Sequence, residues 1–168
     1  MPIRRSRIAP SASPEAAIDI RDAHPSDAPE LTKLAHRAKA SWGYPPQWMA
    51  QWKPDLTMTP EYLSAHRAFV AVHERRLVGV CVLDTATDGA TLEHMWVAPE
   101  LHGRGIGRQL VAHALAKARE LGFRHVDVQS DPFAESFYLT LGALRIGSVP
   151  APMPGAPARV LPLLEFTM

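Results

Sequence analysis

Seven short stretches of the chain either alternate apolar and polar residues or form brief apolar runs, and both patterns predict β-strands. The stretches are residues 17–21, 69–73, 77–83, 91–97, 124–129, 144–149 and 159–166. Only Glu74, Arg75 and Arg76 separate the second stretch from the third, so these two predict a β-hairpin. The pattern therefore predicts a sheet of about seven strands.

Two helices are predicted between the first and second strands. Ser26 and Asp27 form a helix-start signal, and the helix that follows runs to about Ser41. Its apolar face consists of Leu31, Leu34, Ala35 and Ala38. Thr59 resembles an N-cap before a first-turn proline, so a short helix is predicted over residues 60–66.

Two further helices are predicted in the second half of the chain. The longest covers residues 106–121, with apolar side chains on one face and Gly122 where a left-handed cap is expected. The other begins at Pro132, with Asp131 as its N-cap, and ends before Gly142. The elements together predict an α/β (α+β) domain in which about four helices flank the sheet.

Residues 41–53 concentrate aromatic side chains in a segment that Gly43 and two prolines interrupt. They hold three of the four tryptophans of the chain. The aromatic residues are Trp42, Tyr44, Trp48 and Trp52. Two interpretations stay open: the rings cap the hydrophobic core, or they form the wall of a substrate pocket, which aromatic residues commonly line.

The composition is that of a globular domain, with a departure at the N-terminus. Hydrophobic residues make up 46% and charged residues 21% of the 168 residues, which is enough for one hydrophobic core. Residues 1–16 contain Arg4, Arg5 and Arg7 but little to bury, and the apolar stretch of a targeting signal does not follow them. We expect a disordered basic leader over residues 1–16 and a single domain over residues 17–168.

Charge, hydropathy and cysteine content narrow the class of protein. The net charge is only +1, which gives no sign of a nucleic-acid partner, and no apolar run approaches the roughly 20 residues of a membrane helix. Cys81 is the single cysteine and lies in an apolar run, so we expect a buried thiol and a reducing, cytoplasmic location. The eight histidines lack metal-ligand spacing, so we expect no metal.

The most informative stretch is residues 100–121, where Gly103, Gly105 and Gly107 lie between a predicted strand and the longest helix. Glycines let the backbone approach a ligand, and a helix N-terminus offers unpaired N–H groups and the positive end of its dipole. The spacing lacks the third glycine of a dinucleotide fingerprint and the Lys–Ser/Thr pair of a Walker loop. We predict a phosphate-binding loop, with a tight turn without a ligand as the alternative.

The sequence VAPELHGRGIGRQLVAHAL, with SDPFAESFYLTLGA further along the chain, resembles the GNAT superfamily of N-acetyltransferases. The family's acetyl-CoA motif is Arg or Gln, two residues, Gly, one residue, then Gly or Ala. Residues 102–107 match this motif with His102 in the first position, and Phe133 stands where many relatives carry Asn. The resemblance covers about residues 77–143. It implies the GNAT fold, a mixed and mostly antiparallel sheet whose fourth and fifth strands splay apart.

The resemblance implies acetyl-CoA as the cosubstrate. Backbone N–H groups of residues 103–108 would hold the pyrophosphate, and the pantetheine arm would pair with the exposed backbone at the end of strand four. The residues implied for cofactor binding are Met95, Trp96, Val97, His102, Gly103, Arg104, Gly105, Ile106, Gly107, Arg108, Asp131, Ser136, Phe137 and Tyr138. For Arg108 the alternative is a solvated helix residue.

Two catalytic roles are implied as well. Relatives often carry a carboxylate at the position of Glu93, which would take the proton of the amine directly or through water. His94 follows it on the same predicted strand, so the two side chains should point to opposite faces and at most one should face the cleft. Tyr138 matches the family's general acid, which would protonate the departing CoA thiolate.

The implied reaction is transfer of the acetyl group to a primary amine by direct attack in a ternary complex. The predicted acceptor is a small or medium-sized amine with an apolar part, bound beside Trp42, Tyr44, Trp48 and Trp52. A protein N-terminus or lysine is the alternative acceptor. A domain that binds acyl-CoA and a protein partner without catalysis is the alternative function. The oligomeric state stays open, with a homodimer as one alternative.

Overall fold

The computed structural model describes residues 17–168, so the predicted leader, residues 1–16, lies outside the described range. The strands are β1 (Asp19–Asp22), β2 (Arg67–His73), β3 (Arg76–Asp84), β4 (Ala90–Val97), β5 (His125–Gln129), β6 (Leu144–Pro150) and β7 (Val160–Thr167). The helices are α1 (Ala28–Ala40), α2 (Pro46–Leu56), α3 (Pro60–Ala65), α4 (Ile106–Glu120) and α5 (Glu135–Thr140).

The seven strands form one sheet in the order β1-β2-β3-β4-β5-β7-β6. Strands β4 and β5 are parallel, and the other neighbouring pairs in the described sheet are antiparallel. This confirms the prediction of a mixed, mostly antiparallel sheet of seven strands flanked by helices. Within residues 17–168, no helix combines the length and the hydropathy that a membrane span requires.

Helix α2 was not predicted, because Gly43 and the two prolines suggested an interrupted segment. Gly43 does lie outside the helix, with a φ of +79°. Pro46, however, is the first residue of α2, a position at which the missing N–H of proline costs no hydrogen bond. Residues 17–168 thus contain five α-helices rather than about four.

The hairpin between β2 and β3 is tighter than predicted, because Arg76 belongs to β3. Glu74 and Arg75 form the turn, and their φ angles are 48° and 64°. Positive φ at both central residues is the geometry of two-residue hairpins that matches the twist of the strands. In this hairpin neither of the two turn residues is glycine.

The core lies on both faces of the central strands. Helix α1 packs against β3 and β4, and helix α4 packs against β2, β3 and β4. Residues 80–83 of β3 are fully buried, which explains why this strand is a continuous apolar run rather than an alternating one. Leu31 of α1 and Leu110 of α4 are also fully buried, and each such side chain contributes roughly 1.5–3 kcal/mol.

Strands β4 and β5 separate soon after they meet. Their pairing consists of Ala90 with Val126 and Thr91 with Asp127, although β4 continues to Val97. A bulge in β4 accompanies the separation: Leu92 pairs with Leu83 and His94 with Val82, which leaves Glu93 as an extra residue. Bulges bend a strand and increase its twist. The predicted splay is therefore present, and it opens the sheet beside the glycine loop.

Candidate active site

A cavity of about 580 Å³ lies between the glycine loop, the free end of β4 and helix α5. Most of the residues predicted for the cofactor line this cavity: Met95, Trp96, Val97, His102, Gly103, Gly105, Ile106, Gly107, Arg108, Ser136, Phe137 and Tyr138. Arg104 and Asp131 are not among its lining residues, so the structure brings together all but two of the predicted set. Their predicted role in cofactor binding remains a prediction.

The glycine loop is built for close backbone approach. Gly103 and Gly105 both have a φ of +80°, a backbone conformation that residues with a Cβ rarely adopt. Gly105 is the N-cap of α4, and the N–H of Gln109 donates to its carbonyl oxygen over 3.1 Å. The N–H groups that precede Gln109 are therefore the unpaired donors of a helix N-terminus. They border the cavity and suit an anionic ligand.

Gly107 serves a different purpose from the other two glycines. It is buried inside α4, and a Cβ on this residue would lie 2.9 Å from Cζ of Phe137 and 3.3 Å from Cε of Met95. The position therefore requires glycine for packing rather than for a turn. It lets α5 and the end of β4 approach the first turn of α4, which narrows the cavity at this point.

His102, at the motif's first position, contacts the backbone. Its Nε2 lies 3.2 Å from the carbonyl oxygen of Val97, and because a carbonyl only accepts, Nε2 is the donor. The ring thus ties the loop to the end of β4. It also lines the cavity.

Tyr138 lines the cavity and is 5% exposed. Its ring centroid lies 5.0 Å from that of Phe137 and 6.4 Å from that of Phe166. Burial raises the pKa of Tyr138 above its usual range, and the nearby thiol of Cys81 acts in the same direction. The phenol therefore keeps its proton at neutral pH and is available as a donor.

Glu93 and His94 do not point to opposite faces, so that prediction was wrong. The Tyr62 hydroxyl donates to the Glu93 carboxylate, and the ring of Tyr62 also lies edge-on to the His94 ring with centroids 5.7 Å apart. The reason is the bulge at Glu93, which breaks the two-residue alternation of the strand. The side chain of Glu93 is 38% exposed and is not among those that line the cavity.

Tyr62 lies on the short helix α3, and no motif in the sequence marked it for a site. Its ring stacks on His66 with centroids 4.1 Å apart, and His66 Nε2 is 3.9 Å from the Glu93 carboxylate. Burial and the hydrogen bond to Glu93 raise the pKa of Tyr62 above its usual range. Tyr62 therefore stays protonated and holds the Glu93 carboxylate in place.

His94 is held in one neutral form. Burial lowers the pKa of His94 below 6.5. Trp96 Nε1 donates to His94 Nδ1 over 3.0 Å, which places the proton of the neutral ring on Nε2. The lone pair of Nδ1 is thus engaged and is not free to accept another proton.

The aromatic residues of the 41–53 segment divide into two groups. Trp42 lines the cavity, where it stacks on Phe133 with centroids 5.9 Å apart and contacts Trp96. Tyr44, Trp48 and Trp52 pack on one another behind it, with centroids 4.9–5.8 Å apart, and are not among the lining residues. The structure thus places one of the four predicted pocket residues directly at the cavity.

Three charged side chains lie within this aromatic group, and the sequence did not indicate their contact. Lys39 Nζ lies 2.8 Å from Asp131 Oδ2 and 4.1 Å from the centroid of Trp52. Arg159 Nη2 lies 3.8 Å from the same carboxylate oxygen. Burial lowers the pKa of Lys39 and raises the pKa of Tyr44 to about 12. We refer to Lys39, Tyr44, Trp48, Trp52, Asp131 and Arg159 as the charged aromatic cluster.

The predicted cap at Asp131 is confirmed, although it caps a 3-10 turn, Pro132–Ala134, that precedes α5. The N–H of Phe133 donates to Asp131 Oδ1 over 2.9 Å. Cys81 is buried, as predicted, and burial raises the pKa of its thiol to about 12. No group of three or more His, Cys, Asp or Glu residues that could hold a metal ion occurs among residues 17–168.

Comparisons with solved structures identify similar folds. A GCN5-related N-acetyltransferase from Kribbella flavida is 27% identical with a TM-score of 0.67, and the match covers 93% of this chain and 100% of that one. A GCN5-related N-acetyltransferase from Rhodopseudomonas palustris is 14% identical with a TM-score of 0.76, covering 94% and 100%. The PaiA N-acetyltransferase of Thermoplasma acidophilum, in complex with coenzyme A, is 17% identical with a TM-score of 0.69, covering 90% and 99%.

The sequence profile described as "Acetyltransferase (GNAT) family" matches residues 29–143. This range is more than half of the 168 residues and contains the glycine loop, the separated strands and Tyr138. The chain therefore belongs to the acetyltransferase (GNAT) family.

Proposed function

We propose that the protein transfers the acetyl group of acetyl-CoA to a primary amine of a small molecule, by direct attack of the amine in a ternary complex. The observation that carries this proposal is the separation of β4 from β5 beside the glycine loop. It creates one cavity that reaches from the anion-binding helix N-terminus to Trp42 and Phe133, so the two substrates can meet within it.

The glycine loop holds the pyrophosphate in this proposal. The N–H groups at the start of α4 donate to the phosphate oxygens, and the helix dipole favours the negative charge there. Arg108 borders the cavity and adds a positive charge. The role is consistent with the φ of +80° at Gly103 and Gly105, which lets the backbone, rather than a side chain, face the ligand.

The free end of β4 orients the thioester. Beyond Thr91 the β5 side of β4 lacks a strand partner in the described sheet, so the backbone at Met95, Trp96 and Val97 can pair with the pantetheine amides. A backbone N–H at this position also polarises the thioester carbonyl. Such a preorganised donor is typically worth about 3 kcal/mol of transition-state stabilisation.

Two side chains move protons. Glu93 accepts the proton of the acceptor ammonium, whose pKa in solution is about 10. Because Glu93 does not line the cavity and is bound by Tyr62, it acts through water rather than by direct contact. Tyr138, which keeps its proton and borders the cavity, donates to the departing thiolate.

A small acceptor fits the site better than a protein chain. Trp42, Trp96 and Phe133 confine the end of the cavity where the amine would enter. Aromatic walls of this kind suit an amine with an apolar part.

Calorimetry with acetyl-CoA, paired with thiol release over a panel of small amines and lysine peptides, tests the proposal. We expect saturable acetyl-CoA binding and CoA release that depends on a small amine. Tight binding without turnover on any amine would instead support a non-catalytic acyl-CoA-binding domain. Turnover restricted to the peptides would contradict the small-molecule acceptor.

A further inference from the structure

Two cations and one carboxylate meet in the charged aromatic cluster. The side chains of Lys39, Asp131 and Arg159 are 12%, 7% and 11% exposed. The cluster therefore has a formal excess of one positive charge in surroundings that are mostly screened from solvent. A buried charge without a counterion is costly, so an excess of this kind needs an explanation.

The hydrogen bonds within the charged aromatic cluster leave one buried donor without an acceptor. Asp131 accepts from Lys39 Nζ at 2.8 Å, from the Tyr44 hydroxyl at 2.8 Å, and from the N–H of Phe133 at 2.9 Å. Arg159 Nη1 donates to the carbonyl oxygen of Ala151 over 3.4 Å. Arg159 Nη2 is buried and has no hydrogen-bond partner, and the one other such atom among the described side chains is Nδ1 of His73. Each unsatisfied buried donor of this type needs an explanation, and an ion that binds at the site is one such explanation.

The cluster adjoins the cavity wall. The rings of Trp42 and Trp96 line the cavity, and each has its centroid 5.9 Å from Lys39 Nζ. Lys39 therefore lies directly behind the cavity wall, and Arg159 lies beside it, since both contact Asp131 Oδ2. The aromatic rings that could recognise an ammonium already surround Lys39, so a second cation is disfavoured here and an anion is favoured.

We infer that the acceptor amine also carries a carboxylate, as an amino acid or its derivative does, and that Arg159 binds this carboxylate together with Lys39. The inference rests on the acetyl transfer proposed above and names its substrate class. A guanidinium suits a carboxylate because its N–H groups match the two oxygens.

Access to Arg159 requires a local movement. Its guanidinium carbon lies 5.7 Å from the ring centroid of Trp48 and 5.2 Å from that of Trp52. Trp48 Nε1 in turn donates to the carbonyl oxygen of Pro154 over 2.9 Å. Because Nη2 is buried, the proposed contact with a carboxylate requires these neighbouring side chains to shift.

Matched acceptors test the inference. L-Phenylalanine and phenylethylamine differ by the carboxylate, and L-phenylalaninamide replaces the charge with a neutral group of similar size. We expect the amino acid to have a KM at least about tenfold below that of the amine, since a charged hydrogen bond is worth roughly 1.5–3 kcal/mol. In Arg159→Gln the KM for L-phenylalanine should rise by at least about tenfold, while the KM for phenylethylamine and both kcat values should be unchanged.

Two variants keep the result specific to Arg159. Arg145→Gln is the control, because Arg145 is 48% exposed and pairs with Glu135, outside the cluster. It should change neither KM. Arg159→Lys keeps the charge and should retain part of the preference for L-phenylalanine. Comparing the KM of one acceptor between wild type and variant avoids the difference in amine pKa between acceptors. Thermal melting shows whether each variant is folded.

Calorimetry with the same acceptors separates this inference from the proposed function. A carboxylate preference in binding without any thiol release would uphold the inference and overturn the proposed transfer. Turnover with equal KM for the acid, the amide and the amine would overturn the inference alone. An equal loss of affinity for all three acceptors in Arg159→Gln would also overturn the inference. So would a failure of the protein to bind any of the three acceptors.

Discussion

Gly107 lies against the ring of Phe137, close enough that an added Cβ would be 2.9 Å from Cζ of that ring. Gly107→Ala should therefore lower the free energy of unfolding by about 1–3 kcal/mol, the usual cost of overpacking. It should also weaken acetyl-CoA binding, because Phe137 borders the cavity. Thermal melting and calorimetry measure the two effects.

A second substitution tests whether the contact with Phe137 causes the loss of stability. Gly107→Ala combined with Phe137→Leu removes the clash and should recover most of the lost stability. Gly147→Ala is the control, because no atom lies within 4 Å of a Cβ on Gly147. A double variant as unstable as Gly107→Ala would show that the ring contact does not explain the glycine.

Tyr138→Phe should lower kcat by about two orders of magnitude, the usual range for loss of an acid–base group. The acetyl-CoA affinity should hardly change, because the ring keeps its packing against Phe137 and Phe166. Steady-state kinetics and calorimetry separate the two quantities. Full activity in this variant would remove Tyr138 as the acid.

Glu93→Gln should lower the rate most at low pH. The amine is then more fully protonated, so the reaction depends more on a group that takes up its proton. Tyr62→Phe should lower the rate by a smaller factor but with the same pH dependence, since it removes the hydroxyl that holds the Glu93 carboxylate. Glu120→Gln, on the outer face of α4, is the control. A loss independent of pH would argue against a base at Glu93.

His94 should make the stability of the protein depend on pH. Its pKa is lower in the folded protein than the usual 6.5, so the unfolded chain binds the proton more readily. Stability is therefore fully present above about pH 6.5 and falls as the pH decreases toward the folded pKa. His94→Gln should lose less stability than wild type between about pH 6.5 and pH 5, above the range in which carboxylates titrate. Urea denaturation at several pH values measures this, and equal losses would contradict the assignment.

The elements that the sequence predicted well are those with a strong local signal. The seven strands, helix α4 and the caps at Thr59 and Asp131 depend on periodicity and on residues next to one another in the chain. The glycine motif likewise identified the loop, because Gly103 and Gly105 serve a backbone conformation that few other residues adopt.

The features that the sequence missed depend on distant contacts. The bulge at Glu93 arises in the pairing of β4 with β3, and no residue within β4 signals it. Lys39 and Asp131 are 92 positions apart, and their ion pair exists only because α1 and the end of β5 converge. Sequence periodicity does not indicate such long-range contacts, which is also why the sequence did not point to Arg159 or Tyr62.

The backbone of the glycine loop is the group proposed to hold acetyl-CoA. Gly105 and Gly122 are a matched pair for testing it, because both have positive φ, at 80° and 88°, and open space around an added Cβ. Replacing either by alanine places a Cβ in the left-handed region, which costs roughly 1–2 kcal/mol. Gly122 follows the C-terminal end of α4, far along the helix from the loop.

The most direct measurement is the dissociation constant of acetyl-CoA, by calorimetry, for wild type, Gly105→Ala and Gly122→Ala. We expect similar losses of melting temperature in the two variants. We expect the dissociation constant to rise by at least about tenfold in Gly105→Ala and to stay at the wild-type value in Gly122→Ala. Unchanged acetyl-CoA affinity in Gly105→Ala, or an equal loss of affinity in both variants, would show that the loop backbone does not hold acetyl-CoA.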